Sequence, residues 1–107
     1  MSDIKDLTAK ILAFADDRKW RQFHSPTNLA MGVSVEAGEL LECFQFDRKI
    51  LAIEVQREIA DICIYLFELA DSLNIDIKEA VEEKLAINAE RYFKEKAWGS
   101  NKKYDKL

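Results

Sequence analysis

Apolar residues recur along this chain at steps of three and four, and polar breaks divide that rhythm into four segments. The first, over residues 3–19, carries Ile4, Leu7, Ile11, Phe14 and Ala15 on one face, with Ser2 or Asp3 placed to cap it. The stretch KWRQFHSPTN then interrupts the period. Ser25 followed by Pro26 supplies a cap and a first-turn proline for a second helix, predicted over residues 26–46. On a helical wheel Leu29, Val33, Ala37, Leu40 and Phe44 of that helix fall within one sector of roughly 80°. A hinge at residues 47–49 leads to a third helix over 50–73, striped by Val55, Ile59, Ile62, Leu66, Leu69 and Leu73. SLNID is the next break, with Asp76 as the cap of a fourth helix running from 77 to Glu95 or beyond. That helix sets Ile77, Ala80, Val81, Leu85 and Ala89 on one side, and Lys84, Asn88 and Arg91 on another. A polar tail follows from about residue 99. Four helices with short connections predict an all-α four-helix bundle, one domain over residues 1–107.

Composition supports that architecture. Three glycines and one proline are too few for a turn-rich β-sandwich, and 49% hydrophobic residues suffice for a core. The formal charge of −4 argues against a nucleic-acid polymer as partner, because a phosphate backbone wants a basic face. It says little against a small anionic substrate, since a bound metal can invert the local field. Cys43 and Cys63 lie in apolar helical runs and read as small buried hydrophobes rather than a disulfide or a metal site. Neither an N-terminal apolar signal segment nor a run of about 18 apolar residues occurs. The expected setting is therefore cytoplasmic and reducing, without a membrane span.

The chemistry concentrates in two acidic pairs, Glu36-x-x-Glu39 and Glu58-x-x-Asp61, separated by 18 residues. Residues three apart are neighbours on a helix surface, so each pair sets two carboxylates side by side. The interval is long enough to end one helix and return a second one antiparallel to it. Acids of this kind are common on solvated faces, but these border the apolar stripes, and only Arg57 beside Glu58 stands out as a local cationic partner. Glu36 lies at the edge of its sector, Glu39 about 60° further out and Glu42 further still. Four carboxylates across a helix seam would repel without a cation, and oxygen-only ligation points to magnesium or another hard divalent ion. A di-iron bundle would need Glu-x-x-His on two helices. The single histidine, His24, lies outside both pairs, so that reading fails.

These motifs resemble the MazG-like all-α nucleoside triphosphate pyrophosphohydrolases, and within them the dCTP pyrophosphatase branch. The similarity extends over FADDRKWRQFHSPTNLAMGVSVEAGELLECFQF, EIADICIYLFELA and EKLAINAERY. The resemblance implies hydrolysis of a dCTP-like or dATP-like triphosphate to monophosphate and pyrophosphate, in clearing the deoxynucleotide pool. It implies Mg2+, with Mn2+ as a substitute, on Glu36, Glu39, Glu58 and Asp61, and Glu39 is the candidate base. Trp20 and His24 match the segment that helps enclose the base, and Tyr65 matches a tyrosine near base or sugar. Phe46 stands where the branch tends to have tryptophan, which puts preference for a cytosine-type base in doubt. Lys84, Asn88 and Arg91 match the nucleotide- and phosphate-contacting edge of the last helix. A homodimer, or a tetramer built as a dimer of dimers, is implied, with the pocket completed by a neighbouring chain.

Five of these substrate residues also have a structural reading: Trp20 as a hydrophobic plug, His24 as a loop histidine, Tyr65 as a core-edge residue, Lys84 and Arg91 as solvated charges. Asn88 is less easily dismissed, since asparagine is a mediocre mid-helix residue. A non-catalytic helical dimer serving regulation or protein interaction is the competing function. A third reading keeps the fold and exchanges the substrate for a modified nucleotide.

Overall fold

The computed structural model describes residues 3–92, 96 and 98–102. Four α-helices, and no strand, form among them: α1 (Asp3–Asp17), α2 (Pro26–Glu42), α3 (Ala52–Ser72) and α4 (Ile77–Arg91), with a short 3-10 turn at Arg21–Phe23. They fall into two compact units, Met1–Ile75 and Asp76–Leu107. The expected cap at Ser2 and the extension of the fourth helix to Glu95 lie outside the described residues.

In the first unit, α2 and α3 make the main helix–helix contact and α1 packs on α3. α1 ends two residues earlier than its periodicity predicts because Lys19 adopts a left-handed backbone, φ 57°. The Trp20 N–H bonds the Ala15 carbonyl at 3.0 Å and the Lys19 N–H the Asp16 carbonyl at 3.0 Å. This is a Schellman cap, and its accompanying apolar contact is Trp20 edge-on to Phe14, ring centroids 5.7 Å apart. Arg18 covers Phe14 at 3.6 Å. α3 closes the same way: Asn74 takes φ 56° and the Ile75 N–H bonds the Ala70 carbonyl at 2.8 Å.

α2 begins as predicted, with the Ser25 hydroxyl accepting from the Asn28 N–H at 3.1 Å and Pro26 in the first turn. It stops at Glu42 rather than 46. The N–H groups of Cys43 and Phe44 reach back only three residues, to Leu40 and Leu41, and Arg48 Nη1 takes the Glu42 carbonyl at 3.1 Å. Phe46 and Asp47 then adopt consecutive left-handed conformations, φ 58° and 57°, which no helix can continue through. The connection therefore spans residues 43–51, longer than the three-residue hinge expected.

Both apolar stripes are only partly covered. Leu29 is fully buried and Val33 and Leu40 half-buried, while Phe44, Ile59, Leu66 and Leu73 remain exposed. Beside Leu29, the buried apolar side chains among the described residues are Ala15, Cys43 and Ala70, and one charged residue of the described set, Glu68, is also buried, at 4% exposure. Cys43 and Cys63 are free thiols, buried and half-buried respectively. In the second unit Asp76 caps α4 by accepting from the Glu79 N–H at 3.0 Å, and Lys78 pairs with Glu82. Val81 and Leu85 of its apolar side are exposed.

Candidate metal and nucleotide site

Three contacts fix how α2 and α3 run. Glu36 lies by Glu58 and Asp61, Gly32 against Tyr65, and His24, just before α2, against Glu68. Position falls along one segment as it rises along the other, so the helices are antiparallel and share one polar seam. Glu58, Asp61, Tyr65 and Glu68 all fall on one face of α3 by their three- and four-residue spacing.

At the centre of the seam, Glu36, Glu58 and Asp61 each offer a carboxylate oxygen, and these lie within 4.8 Å of one another. Glu36 Oε2 and Glu58 Oε2 are buried without a hydrogen-bond partner. Glu39, exposed on the next turn of α2, acts on both: its hydrogen-bonding contact is the first cause that pushes the Glu36 carboxyl up to about 7 from 4.5. Burial and the negative charges of Glu39 and Asp61 add to it. The Glu58 carboxyl is also raised, by burial first and then by the Glu39 charge, against a hydrogen bond from Glu36 that lowers it. Carboxylates this crowded favour the protonated form because burial and like charge both oppose ionisation. A hard divalent ion fits the donor set: all oxygen, converging, with two orphaned lone-pair-bearing atoms facing inward.

One to two turns along the seam, glycine is required at position 32. A Cβ there would lie 2.6 Å from Tyr65 Cε1 and 2.7 Å from Cδ1, so the tyrosine ring rests directly on the α2 backbone. Tyr65 is half-buried. Beyond it His24 Nδ1 is 2.6 Å from Glu68 Oε1, and Arg21 Nε stands 4.0 Å from the same oxygen. Arg21 also reaches Asp16 at 3.6 Å.

The other expected substrate residues lie apart. Trp20, 45% exposed, packs edge-on against Phe14 with Arg18 nearby in the α1 cap. Phe46 is 90% exposed on the left-handed turn after α2. It stands at the opposite end of α2 from His24; 17 helical residues separate them, or roughly 25 Å of rise. One chain therefore does not bring Phe46 and His24 to the same base. In the second unit, Lys84, Asn88 and Arg91 follow one face of α4, with Lys84 and Arg91 exposed and Asn88 half-buried. The residue that periodicity did not single out is Glu68. Its signal was a carboxylate three residues after Tyr65 and seven after Asp61, inside an otherwise apolar turn.

Residues 31–107 of this all-α chain match the MazG-like family, and the chain belongs to it. Over 119 aligned residues it is 37% identical to dCTP pyrophosphatase 1 of Homo sapiens, spanning 100% of this chain and 67% of that protein. The Mus musculus protein of the same name is 36% identical over 121 residues, with the same coverage. Among solved structures, a pyrophosphatase from Archaeoglobus fulgidus DSM 4304 superposes with a TM-score of 0.79 at 37% identity, covering 87% of this chain and 94% of its own.

Proposed function

We propose that this nucleotide pyrophosphohydrolase cleaves a deoxynucleoside triphosphate between its α- and β-phosphates in a magnesium-dependent reaction, giving the monophosphate and pyrophosphate. The observation that carries the reading is the convergence of Glu36, Glu58 and Asp61 within 4.8 Å, with buried oxygens left unpartnered on Glu36 and Glu58. Identity to dCTP pyrophosphatases supports the reaction and favours a dCTP-like substrate. It also weighs against a purely non-catalytic helical module.

Glu36, Glu58 and Asp61, with Glu39, would hold Mg2+ or Mn2+. The ion supplies neutralisation of the phosphates and of the leaving pyrophosphate. Glu39, exposed and one turn from Glu36, is the carboxylate placed to accept the proton of the attacking water. His24 and Tyr65 flank the base or sugar, and Trp20 closes the same end of the unit. Lys84, Asn88 and Arg91 supply polar contacts to the nucleotide. The family match runs across both compact units, which supports one functional domain.

Self-association completes the reading. Met31, Val35 and Leu41 on α2 are 57–60% exposed. An open groove of about 460 Å³ between Phe44, Ile50, Val55 and Ile59 is lined almost wholly by apolar groups. Exposed apolar surface of this kind is a common mark of a protein–protein interface. A homodimer or dimer of dimers would cover it and could bring Phe46 of one copy to the base end of another. No described helix is long and apolar enough to cross a membrane, and the net charge of −4 disfavours a nucleic-acid polymer. The expected cytoplasmic setting agrees with two unpaired thiols.

The test is pyrophosphate release from a panel of canonical and modified nucleoside triphosphates, with magnesium and with chelator. Metal-dependent release of pyrophosphate supports the assignment. Release of orthophosphate alone, or no turnover by folded protein, overturns it.

A further inference from the structure

Glu68 is a buried carboxylate outside the metal cluster, and burial of a charge is costly unless paired and hydrogen-bonded. At 4% exposure it has two cationic or potentially cationic neighbours, His24 at 2.6 Å and Arg21 at 4.0 Å. Asp16, 3.6 Å from Arg21, partly draws that guanidinium away, so His24 is its close partner. An ionised carboxylate only accepts hydrogen bonds. The 2.6 Å contact therefore places the proton on Nδ1 and leaves Nε2 as the ring nitrogen uncommitted to Glu68. In a neutral imidazole that nitrogen is an acceptor.

The pair's place in the seam gives this a use. Glu68 follows Asp61 by seven residues on α3, about 10 Å of helical rise, with Tyr65 between them. That is on the scale of the reach from a nucleotide's phosphates to its base. With phosphates at the carboxylate centre, a base lying along the seam past Tyr65 arrives at His24. Cytosine and adenine offer an exocyclic amine at the position where thymine, uracil and guanine offer a carbonyl oxygen. A Nε2 acceptor bonds the amine and is left facing a lone pair when a carbonyl takes its place.

We propose that Glu68 is a positioning residue for base selection: it holds His24 in the Nδ1–H form, so that Nε2 accepts from the exocyclic amine of a cytosine- or adenine-type base. This rests on the pyrophosphohydrolase reading above, but its first test does not. Because His24 is the single histidine of the chain, the imidazole 15N spectrum of the full-length protein reports it without ambiguity. At about pH 8, Nδ1 should be pyrrole-like and Nε2 pyridine-like. In Glu68→Gln the Nε2–H form should gain population. A pyrrole-like Nε2 in the wild type, or both nitrogens protonated at that pH, overturns the proposal whatever the enzyme hydrolyses.

The second test compares kcat/KM for dCTP with dUTP, and for dATP with dITP, in wild type and Glu68→Gln. The amino-to-keto preference should fall roughly 10- to 100-fold, chiefly through KM, while the magnesium dependence of kcat is kept. A folded Glu68→Gln protein with the wild-type ratio overturns base selection and leaves the reaction assignment standing. A wild type that hydrolyses none of these nucleotides sinks both, with the tautomer still measurable. If Glu68→Gln does not fold, His24→Asn, whose shorter amide lacks Nε2, must lose the same ratio; an unchanged ratio there is equally fatal.

Discussion

The carboxylate centre makes a prediction in which protons and metal compete for the same oxygens. Glu36 is held up to about 7 against an ordinary 4.5, and Glu58 is raised in the same direction. A carboxyl raised on folding binds protons more readily in the folded state than in the unfolded chain. The metal-free protein is therefore helped by protonation below about pH 4.5 and loses that help as pH climbs through about 7. Magnesium needs the same groups ionised, so its stabilisation opens over the same window. A proton held with that pKa would weaken apparent metal affinity by up to about 100-fold near pH 5 relative to pH 8, less to the extent that water screens the half-exposed carboxylate. Metal at 100 times its dissociation constant adds about 2.7 kcal/mol, or roughly 10–20 °C in Tm for a domain of this size. The assay is thermal unfolding in magnesium and in chelator across about pH 5 to 8. The two Tm curves should separate as pH rises, and the separation should collapse in Asp61→Asn. A magnesium increment that is constant across the range, or that survives Asp61→Asn, refutes the reasoning.

Other perturbations address the frame and the chemistry. Gly32→Ala drives a methyl group into Tyr65 and should cost about 1–3 kcal/mol by chemical denaturation. Most of that loss should vanish in the double variant with Tyr65→Ala, and strict additivity would show that the contact is not the cause. Replacing Glu36 or Asp61 with alanine should lower magnesium-dependent turnover by roughly 100-fold or more with the helical circular dichroism kept; wild-type turnover in either variant contradicts their role. Ser25→Ala should cost about 1 kcal/mol, read as a lower Tm with unchanged metal response, because it strips one acceptor from the start of α2. Light scattering should find a dimer or tetramer, and a stable monomer would contradict the reading of the exposed α2 face.

Much of this frame was legible in residue order because each helix boundary has a local cause. Ser25–Pro26 and Asp76 act as caps at the positions their chemistry dictates. The ends were less legible: Lys19 and Phe46 are not residues whose type announces a left-handed backbone, and each takes one. Burial was legible least. A stripe states which side of a helix is apolar, not whether its own chain supplies the cover, and Phe44, Ile59 and Leu66 remain exposed.

The site shows the same division. Spacing three apart predicts two adjacent carboxylates on each helix, but only the antiparallel register decides which acids meet. It brings Glu36 between Glu58 and Asp61 and leaves Glu39 exposed beside them. The same register carries the seam past Gly32 and Tyr65 to His24, giving the lone histidine a buried carboxylate that no local spacing pairs with it, 44 residues away. On the proposed reading, metal chemistry at one end and base-facing chemistry at the other would both be set by a single geometric fact, the registration of α2 on α3. A change that slips that registration should damage metal response and base preference together. Gly32, where the Tyr65 ring of α3 rests on the α2 backbone, is the position where the two effects would be coupled.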